Sequence, residues 1–194
     1  MNDLSWDSHT NKLIGSLRHC YRSFSRSCKW LTVDSRKLLY NAAIASRINY
    51  CDAIWDKCKQ DTVKKLQTIQ NRCARRILEA SPGASAGPLL RELGWLTLQE
   101  KRKLHKCVLV HGLMQGKGPH ALCSELDKLR TTSAIGTRAT TGECLSLKSH
   151  RTNYVAKSFF YDAAKLWNKI PQSIRQTKNR STFKEKLHHY FLNM

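Results

Sequence analysis

The chain has 194 residues, 41% of them hydrophobic, which is enough for one large or two small domains and argues against wholesale disorder. Its 34 Lys and Arg residues against 14 Asp and Glu give a formal net charge of +20, spread over every segment, so the expected partner is a polyanion. Because no apolar run approaches the ~18 residues of a membrane span and the first residues lack a secretory apolar core, we expect an intracellular chain, nuclear or cytoplasmic, that binds no membrane.

The first two elements are predicted as amphipathic helices. Residues 1–30 repeat apolar positions at helical spacing, namely Leu13, Leu17, Cys20, Tyr21 and Phe24. A second helix is expected after Thr32-Val33, with Asp34 or Ser35 as its N-cap. Its inward stripe is predicted to consist of Leu38, Leu39, Ala42, Ala43, Ser46 and Ile48.

The stretch from Asp61 to Ala80 predicts the helix around which the chain is organised. Asp61 or Thr62 can cap its start, and Ser81-Pro82-Gly83 is expected to stop it. One side is suited to a core, with Val63, Leu66, Ile69, Gln70, Cys73, Ala74, Ile77 and Leu78. The other side collects Lys64, Lys65, Arg72, Arg75 and Arg76. This basic face is suited to anions, while a merely solvated face is the alternative for such a helix in isolation.

Residues 81–96 are rich in Gly and Pro and are predicted to interrupt the helical pattern. Thr97-x-x-Glu100 is a capping box, so a helix is predicted from about Leu98 to about Met114. The outer side of this helix is expected to carry Lys101, Arg102, Lys103 and Lys106.

Residues 128–157 are rich in Thr, Ser and Gly and are interpreted as a long basic loop that contains Arg138. Ser158 is expected to cap a helix that buries Trp167, and a second capping box, Thr182-x-x-Glu185, to open the last helix. The chain is therefore predicted to be mainly α, with a helical bundle in residues 1–80 and helical hairpins plus the basic loop in residues 81–194.

Two patterns resemble a catalytic or a metal site. Ser85 lies in a G-x-S-x-G pattern, but the helix before it and Pro88 after it do not suit a nucleophile elbow, so a flexible loop is preferred. Asp52 and Asp56 are spaced like a magnesium pair, yet a solvated helix end is the simpler interpretation.

The cysteines and histidines supply a third pattern, which resembles a zinc site. A zinc site can be drawn from Cys107, His111, His120 and Cys123, but the spacing is unusual, and a buried thiol with exposed histidines is preferred. The eight irregularly spaced cysteines are expected to be reduced. No catalytic centre, cofactor or small-molecule substrate is predicted.

Several short motifs, taken in order, resemble the carboxy-terminal part of reverse transcriptases from non-LTR (LINE-like, Jockey-type) retrotransposons. The resemblance covers essentially the whole chain and is carried by Leu4-Ser5-Trp6, Ile48-Asn49-Tyr50-Cys51, Ile69-Gln70-Asn71-Arg72, Ala74-Arg75-Arg76, Leu93-Gly94-Trp95-Leu96, Thr137-Arg138, Leu166-Trp167-Asn168 and Ile170-Pro171. In that family the palm, with its paired catalytic aspartates, precedes the first of these motifs, and this chain contains no Asp-Asp pair.

The resemblance implies a thumb-like helical bundle in residues 1–80, a post-thumb region in residues 81–194, and no polymerase activity for this chain alone. It also implies RNA or DNA as partner. The predicted phosphate contacts are Lys64, Lys65, Arg72, Arg75, Arg76, Arg102 and Arg138. The alternative is a helical protein-interaction scaffold whose cations only solvate its surface.

Overall fold

The computed structural model describes residues 6–131, 144–147 and 158–193. These residues form helices and turns with no β-strand among them, which confirms the mainly α prediction. Within these ranges no helix has the length and apolar character needed to cross a bilayer. Residues 1–5, 132–143, 148–157 and 194 lie outside the described part of the chain, and Arg138 is among them.

The chain divides into two compact units, Met1–Arg102 and Lys103–Met194. The first unit extends past the predicted boundary at residue 80, because the segment that leads up to Leu98 packs into its core. Trp95 stacks on Tyr40 with 4.1 Å between ring centroids, and the buried Gln70 donates a hydrogen bond from Nε2 to the Leu96 carbonyl. Leu98 belongs to the same buried cluster.

The first unit is built from α1 (Asp7–Ser27), a 3₁₀ turn (Cys28–Trp30), α2 (Val33–Tyr40), a π-helical turn (Asn41–Ala45), α3 (Ser46–Asn49), α4 (Gln60–Ile77), α5 (Ala86–Glu92) and the start of α6 (Leu98–Met114). α1 packs against α4, and α2 also contacts α4. The core of this unit includes Ile14, Leu17, Phe24, Ile44, Ile48, Trp55, Leu66, Cys73 and Ile77. α5, which was not predicted, accommodates Pro88 in its first turn, where backbone N–H groups have no intrahelical acceptor.

The segment from α2 to α3 departs from the predicted inward stripe. Of the predicted residues, Ile48 is buried and Leu39 and Ala43 pack against the core, but Leu38, Ala42 and Ser46 are exposed. The fully buried row is Arg36, Tyr40, Ile44 and Ile48, each four residues after the last. The π-helical turn in this segment changes the periodicity locally, and an arginine takes an inward position. The N-cap is Thr32, whose hydroxyl accepts a hydrogen bond from Ser35 N, so the prediction of Asp34 or Ser35 was wrong.

α4 has the predicted faces but different ends. It begins at Gln60 after Lys59 and has no side-chain cap, because Thr62 is buried and Asp61 lies in the first turn. It ends at Ile77, before Ser81-Pro82-Gly83: Glu79 adopts a left-handed φ of 54°, and Ala80 N donates a hydrogen bond to Arg75 O. This bond pattern is typical of a Schellman turn, which terminates the helix without proline.

The second unit comprises the rest of α6, α7 (His120–Thr131), α8 (Phe159–Lys169), α9 (Gln172–Arg175) and α10 (Arg180–Leu192). α6 has the predicted bounds, and its capping box is formed, with Thr97 N donating to Glu100 Oε2 at 2.9 Å. α7 was not predicted and occupies the first residues of the supposed loop. The buried apolar residues of this unit include Val110, Leu113, Leu126, Leu145, Trp167, Phe183, Leu187 and Phe191.

The helix caps of the second unit agree with the predictions in one case of two. Ser158 caps α8, accepting a hydrogen bond from Tyr161 N, and Trp167 is 1% exposed, as predicted. α10 is capped by Asn179, whose Oδ1 accepts hydrogen bonds from the backbone N–H groups of Ser181 and Thr182. The Thr182-x-x-Glu185 box is therefore inside the helix, which begins two residues earlier.

Candidate nucleic-acid interface

A basic cleft lies at the carboxy-terminal ends of α1 and α4, entirely within the first unit. Its volume is about 750 Å³. The charged residues that line it are Lys29, Arg36, Arg72, Arg75, Arg76 and Glu79. Five cations therefore face one carboxylate, and we call this feature the arginine cleft.

α4 supplies three of these cations through its helical spacing. Arg72, Arg75 and Arg76 are three and four residues apart, so they share a side of the helix, while Cys73, Ala74 and Ile77 are buried on the opposite side. Arg72 is exposed, and Arg75 and Arg76 are half-buried. The amphipathic pattern of α4 thus determines which cations reach the cleft.

Two of these arginines are held in place by backbone carbonyls. Arg75 Nε donates to Ala84 O at 2.8 Å, and Arg76 Nε donates to Ser25 O at 3.2 Å. A guanidinium has five N–H donors, and these bonds use one from each side chain. The described residues form no salt bridge with Arg72, Arg75 or Arg76. The two anchored guanidinium groups are thus oriented, and their terminal nitrogens remain able to contact an anion.

Arg36 forms the floor of the cleft and was missed by the sequence analysis. It is 6% exposed, and it donates from Nε to Cys28 O at 2.8 Å, from Nη1 to Ile77 O at 3.0 Å, and from Nη2 to Glu79 Oε1 at 2.6 Å. It therefore joins the turn after α1 to the end of α4. One feature of the sequence could have indicated its burial: Arg36 lies four residues before Tyr40, in the same row of inward-facing positions.

Cys28 is the one thiol that lines the arginine cleft. Burial raises its pKa above the ordinary thiol value, although the nearby Arg36 and Arg76 act in the opposite direction. A thiol that stays protonated at neutral pH is a poor nucleophile. Cys28 is therefore not an activated nucleophile, and the feature that distinguishes the cleft is its concentration of positive charge.

The remaining predicted contacts are not part of the cleft. Lys64 and Lys65 are exposed on α4, and Lys64 lies eleven positions before Arg75, about 16 Å along the helix axis. The two lysines are therefore an extension of the basic surface and do not line the same pocket. Arg138 lies outside the described residues.

Arg102 was predicted to face outward, and this prediction was wrong. It is 1% exposed, its Cζ lies 4.2 Å from the ring centroid of Trp55, and its Nη1 is 3.6 Å from Asp56 Oδ1. The cation–π contact and the carboxylate offset the cost of burying the charge. A guanidinium so enclosed cannot reach a phosphate on the surface. Lys106, expected on the same outer side, is likewise buried and pairs with Asp162.

Among the possible metal ligands, Cys107 is buried and His120 is exposed as predicted, whereas the predicted environments of His111 and Asp52 were wrong. His111 is buried rather than exposed; its Nε2 lies 2.7 Å from Thr177 O, and its ring stacks on Phe183. Burial raises the pKa of Cys107 to about 12. Asp52 is 4% exposed and lies in a series of turns, not at a solvated helix end. No group of three or more His, Cys, Asp or Glu side chains with metal-binding geometry occurs among the described residues.

Ser85 and the cysteines are the remaining residues that the sequence suggested as reactive groups. Ser85 directly precedes α5, so it stands between two helices and not on a strand-to-helix turn. All eight cysteines lie within the described ranges and are free thiols.

Comparisons with known proteins identify no relative of this chain. The chain matches no protein-family model, and no curated protein sequence or solved structure is significantly similar to it.

Proposed function

We propose that the chain is a nucleic-acid-binding module whose first unit holds phosphates in the arginine cleft. The observation that carries the proposal is the convergence of Lys29, Arg36, Arg72, Arg75 and Arg76 on one pocket, in which Glu79 is the single carboxylate among the described lining residues. Arginine suits phosphate because its planar fork of N–H donors matches two phosphate oxygens at once. The net charge of +20 attracts a polyanion to this surface over longer distances.

The cleft lies at the carboxy-terminal ends of two helices, and this location affects its electrostatic potential. The carboxy-terminal end of a helix carries partial negative charge from its last carbonyls, which disfavours anions. Arg36 offsets this effect because it donates hydrogen bonds to Cys28 O and Ile77 O, two of the carbonyls at these ends. The remaining cations then give the cleft a positive potential.

The sequence resemblance extends this proposal to a biological context. We propose that the chain corresponds to the thumb and post-thumb part of a non-LTR retrotransposon RNA-directed DNA polymerase, acting without the palm active site. It would bind RNA or DNA through phosphate contacts, with no cofactor and no small-molecule substrate. Lys64, Lys65 and Arg138 are proposed as additional contacts outside the cleft.

The test compares two variants that lose the same charge. In the cleft variant, Arg72, Arg75 and Arg76 are replaced by Gln; in the control, Lys165, Lys169 and Lys184, which are exposed on helices of the second unit, are replaced by Gln. Binding to a labelled oligonucleotide is measured by fluorescence anisotropy from low to moderate salt. Each lost phosphate contact should flatten the slope of log K against log salt by about 0.9 on a duplex or 0.7 on a single strand. We expect a change of about two to three units in the cleft variant and much less in the control.

A third variant separates charge from structure. Replacing the same three arginines by Lys retains the charges but removes the Nε hydrogen bonds to Ala84 O and Ser25 O. If the cleft binds phosphates, this variant should keep most of the salt slope, with circular dichroism confirming the fold of all variants. Equal small losses in the cleft and control variants would refute the proposal.

A protein-interaction scaffold remains the second candidate function, and one observation favours it. Trp30, Val33 and Leu38 are exposed by 86%, 41% and 71%. Exposed apolar side chains close together in the sequence are typical of surfaces that contact another protein. Under this alternative, polyanion binding would be weak and spread over the whole surface, and the two charge-neutralised variants would behave alike.

A further inference from the structure

Trp30 is the most exposed tryptophan in the described part of the chain, and it is the sequence neighbour of a cleft residue without itself lining the arginine cleft. Its side chain is 86% exposed, whereas Trp6 is 37% exposed and Trp55 and Trp167 are each 1% exposed. The preceding residue, Lys29, lines the cleft. An indole that is 86% exposed contributes little to the stability of the fold and is available to contact a ligand.

The backbone that carries Trp30 is anchored on its amino-terminal side. Trp30 ends the 3₁₀ turn Cys28–Trp30, whose first residue is 1% exposed in the core. Arg36 Nε bonds Cys28 O, and Arg76 Nε bonds Ser25 O three residues earlier. Two cleft arginines therefore anchor the backbone that leads into Trp30.

We propose that the arginine cleft takes single-stranded nucleic acid, with a base stacked on Trp30 while the adjoining phosphates contact Lys29 and the arginines of α4. This inference rests on the proposed function and specifies its ligand. It joins the two elements of general single-strand recognition, a basic groove for the backbone and an aromatic side chain for the bases.

The exposed ring favours a single strand over a duplex for a geometric reason. In a duplex each base face is covered by its neighbours in the stack, so an indole on the protein surface has no face to contact without unstacking the helix. In a single strand the faces are accessible, and every base offers one, so the contact needs no particular sequence. Trp30 should therefore contribute to single-strand affinity and not to duplex affinity.

The experiment uses the full chain and three labelled probes of about 20 nucleotides, longer than a typical site of 4–16 nucleotides: oligo-dT, oligo-U and a DNA duplex. Affinities are measured by fluorescence anisotropy at one fixed low salt concentration. Trp30→Ala should weaken binding of both single strands by roughly 5- to 150-fold, the range for loss of one stacked base, and change duplex affinity less than about twofold. Trp30→Phe should restore most of the single-strand affinity, because a phenyl ring can also stack.

The matched control is Trp6→Ala. Trp6 immediately precedes α1, whereas Trp30 follows its other end, about 30 Å away along a helix of 21 residues. This variant should bind all three probes like the wild type. A second readout is intrinsic fluorescence: oligo-dT should quench the wild type, and Trp30→Phe should remove most of that quenching.

The outcomes distinguish this inference from the proposed function. Wild-type affinity for single strands that Trp30→Ala leaves unchanged, while replacement of the α4 arginines abolishes it, would overturn the stacking contact alone. Equal losses of single-strand and duplex affinity in Trp30→Ala would also overturn it. A wild-type chain that binds none of the probes in a salt-dependent way would overturn both, and a surface for a protein partner would then be the better explanation of the exposed indole.

Discussion

Arg36 and Ile77 lie 41 positions apart in the sequence, and the Nη1 group of the arginine donates a hydrogen bond to the carbonyl of Ile77 at 3.0 Å. Ile77 is the last residue of α4, so its carbonyl is one of those that the helix itself leaves without a partner. The same guanidinium bonds Cys28 O. One buried cation thus closes the ends of two helical segments and forms the floor of the arginine cleft.

Arg36→Ala is expected to destabilise the first unit by about 3 kcal/mol or more. It leaves two backbone carbonyls without their charged donor, and each such loss costs about 1 to 3 kcal/mol. Urea unfolding followed by circular dichroism measures the effect. Arg36→Lys should lose less, because an ammonium group keeps the charge and can donate to one carbonyl at a time. A loss below 1 kcal/mol in Arg36→Ala would contradict the structural role.

Arg102→Gln tests whether Arg102 is a buried residue that stabilises the fold and not a surface contact for phosphate. Because the guanidinium is packed on Trp55 and paired with the partly buried Asp56, its removal should reduce the free energy of unfolding by about 2 to 4 kcal/mol. Nucleic-acid binding by the folded protein should keep the wild-type salt slope, since Arg102 contacts no phosphate. A flatter slope in a variant with unchanged stability would instead show that Arg102 is a surface contact.

Trp167→Ala should destabilise the second unit by about 3 to 5 kcal/mol, the usual cost of truncating a core aromatic side chain. Trp167 is 1% exposed, and its ring centroid lies 5.7 Å from that of Phe183 on α10. Thermal unfolding provides the measurement, and Trp30→Ala is the control, because an indole that is 86% exposed should alter the melting temperature little. Equal melting temperatures for the two variants would rule out Trp167 as a core anchor.

The elements that sequence reasoning located best are those specified by local interactions. α6 was predicted with its true bounds because Thr97 and Glu100 satisfy each other's backbone donors within one turn. The apolar face of α4 was predicted because its period is undisturbed for 18 residues. Where a π-helical turn intervenes, as between α2 and α3, a fixed period of 3.6 residues is only partly correct: it assigned Ile48 properly but also placed the exposed Leu38 and Ser46 in the core.

The buried cations were not predictable in the same way. Arg36 and Arg102 occupy inward positions because of partners that are distant in sequence, Ile77 O for the first and Trp55 for the second. Sequence periodicity treats every Arg as a surface residue, so it placed Arg102 on the outer side of α6 and ignored Arg36. The candidate site was therefore predicted only in part. The periodicity of α4 predicted Arg72, Arg75 and Arg76, whereas Arg36 and Lys29 could be assigned to the cleft only from the tertiary structure.

The purified chain is expected to show no primer extension with any template and nucleotide in the presence of Mg²⁺ or Mn²⁺. Phosphoryl transfer by polymerases requires converging carboxylates that hold the metal ions, and the resemblance places those aspartates in a palm region upstream of the motifs in this chain. The assay measures incorporation of labelled nucleotide, with an active reverse transcriptase as positive control. Template-dependent incorporation that persists through stringent purification would show that the chain has a catalytic site of its own.

Glu79→Gln should strengthen nucleic-acid binding, because Glu79 is the single carboxylate that lines the arginine cleft. Its Oε1 lies 2.6 Å from Arg36 Nη2, so it competes with an incoming phosphate for that donor and also repels it. Coulomb's law in water gives about 0.6 kcal/mol for two unit charges about 7 Å apart, which corresponds to a two- to threefold gain in affinity per phosphate at low salt. The gain should shrink as salt is added, since the repulsion is screened.

The same substitution should scarcely affect folding, which makes the binding result interpretable. The Glu79 side chain is 72% exposed although its partner Arg36 is buried, and the amide oxygen of Gln can still accept the Nη2 hydrogen bond, so the expected loss of stability is at most about 1 kcal/mol. Glu92→Gln, an exposed position on α5 outside the cleft lining, removes an identical charge and is the matched control. If the cleft holds the phosphates, Glu79→Gln should raise affinity more than Glu92→Gln at every low salt concentration, whereas equal gains in both variants would mean that only the total charge of the chain matters.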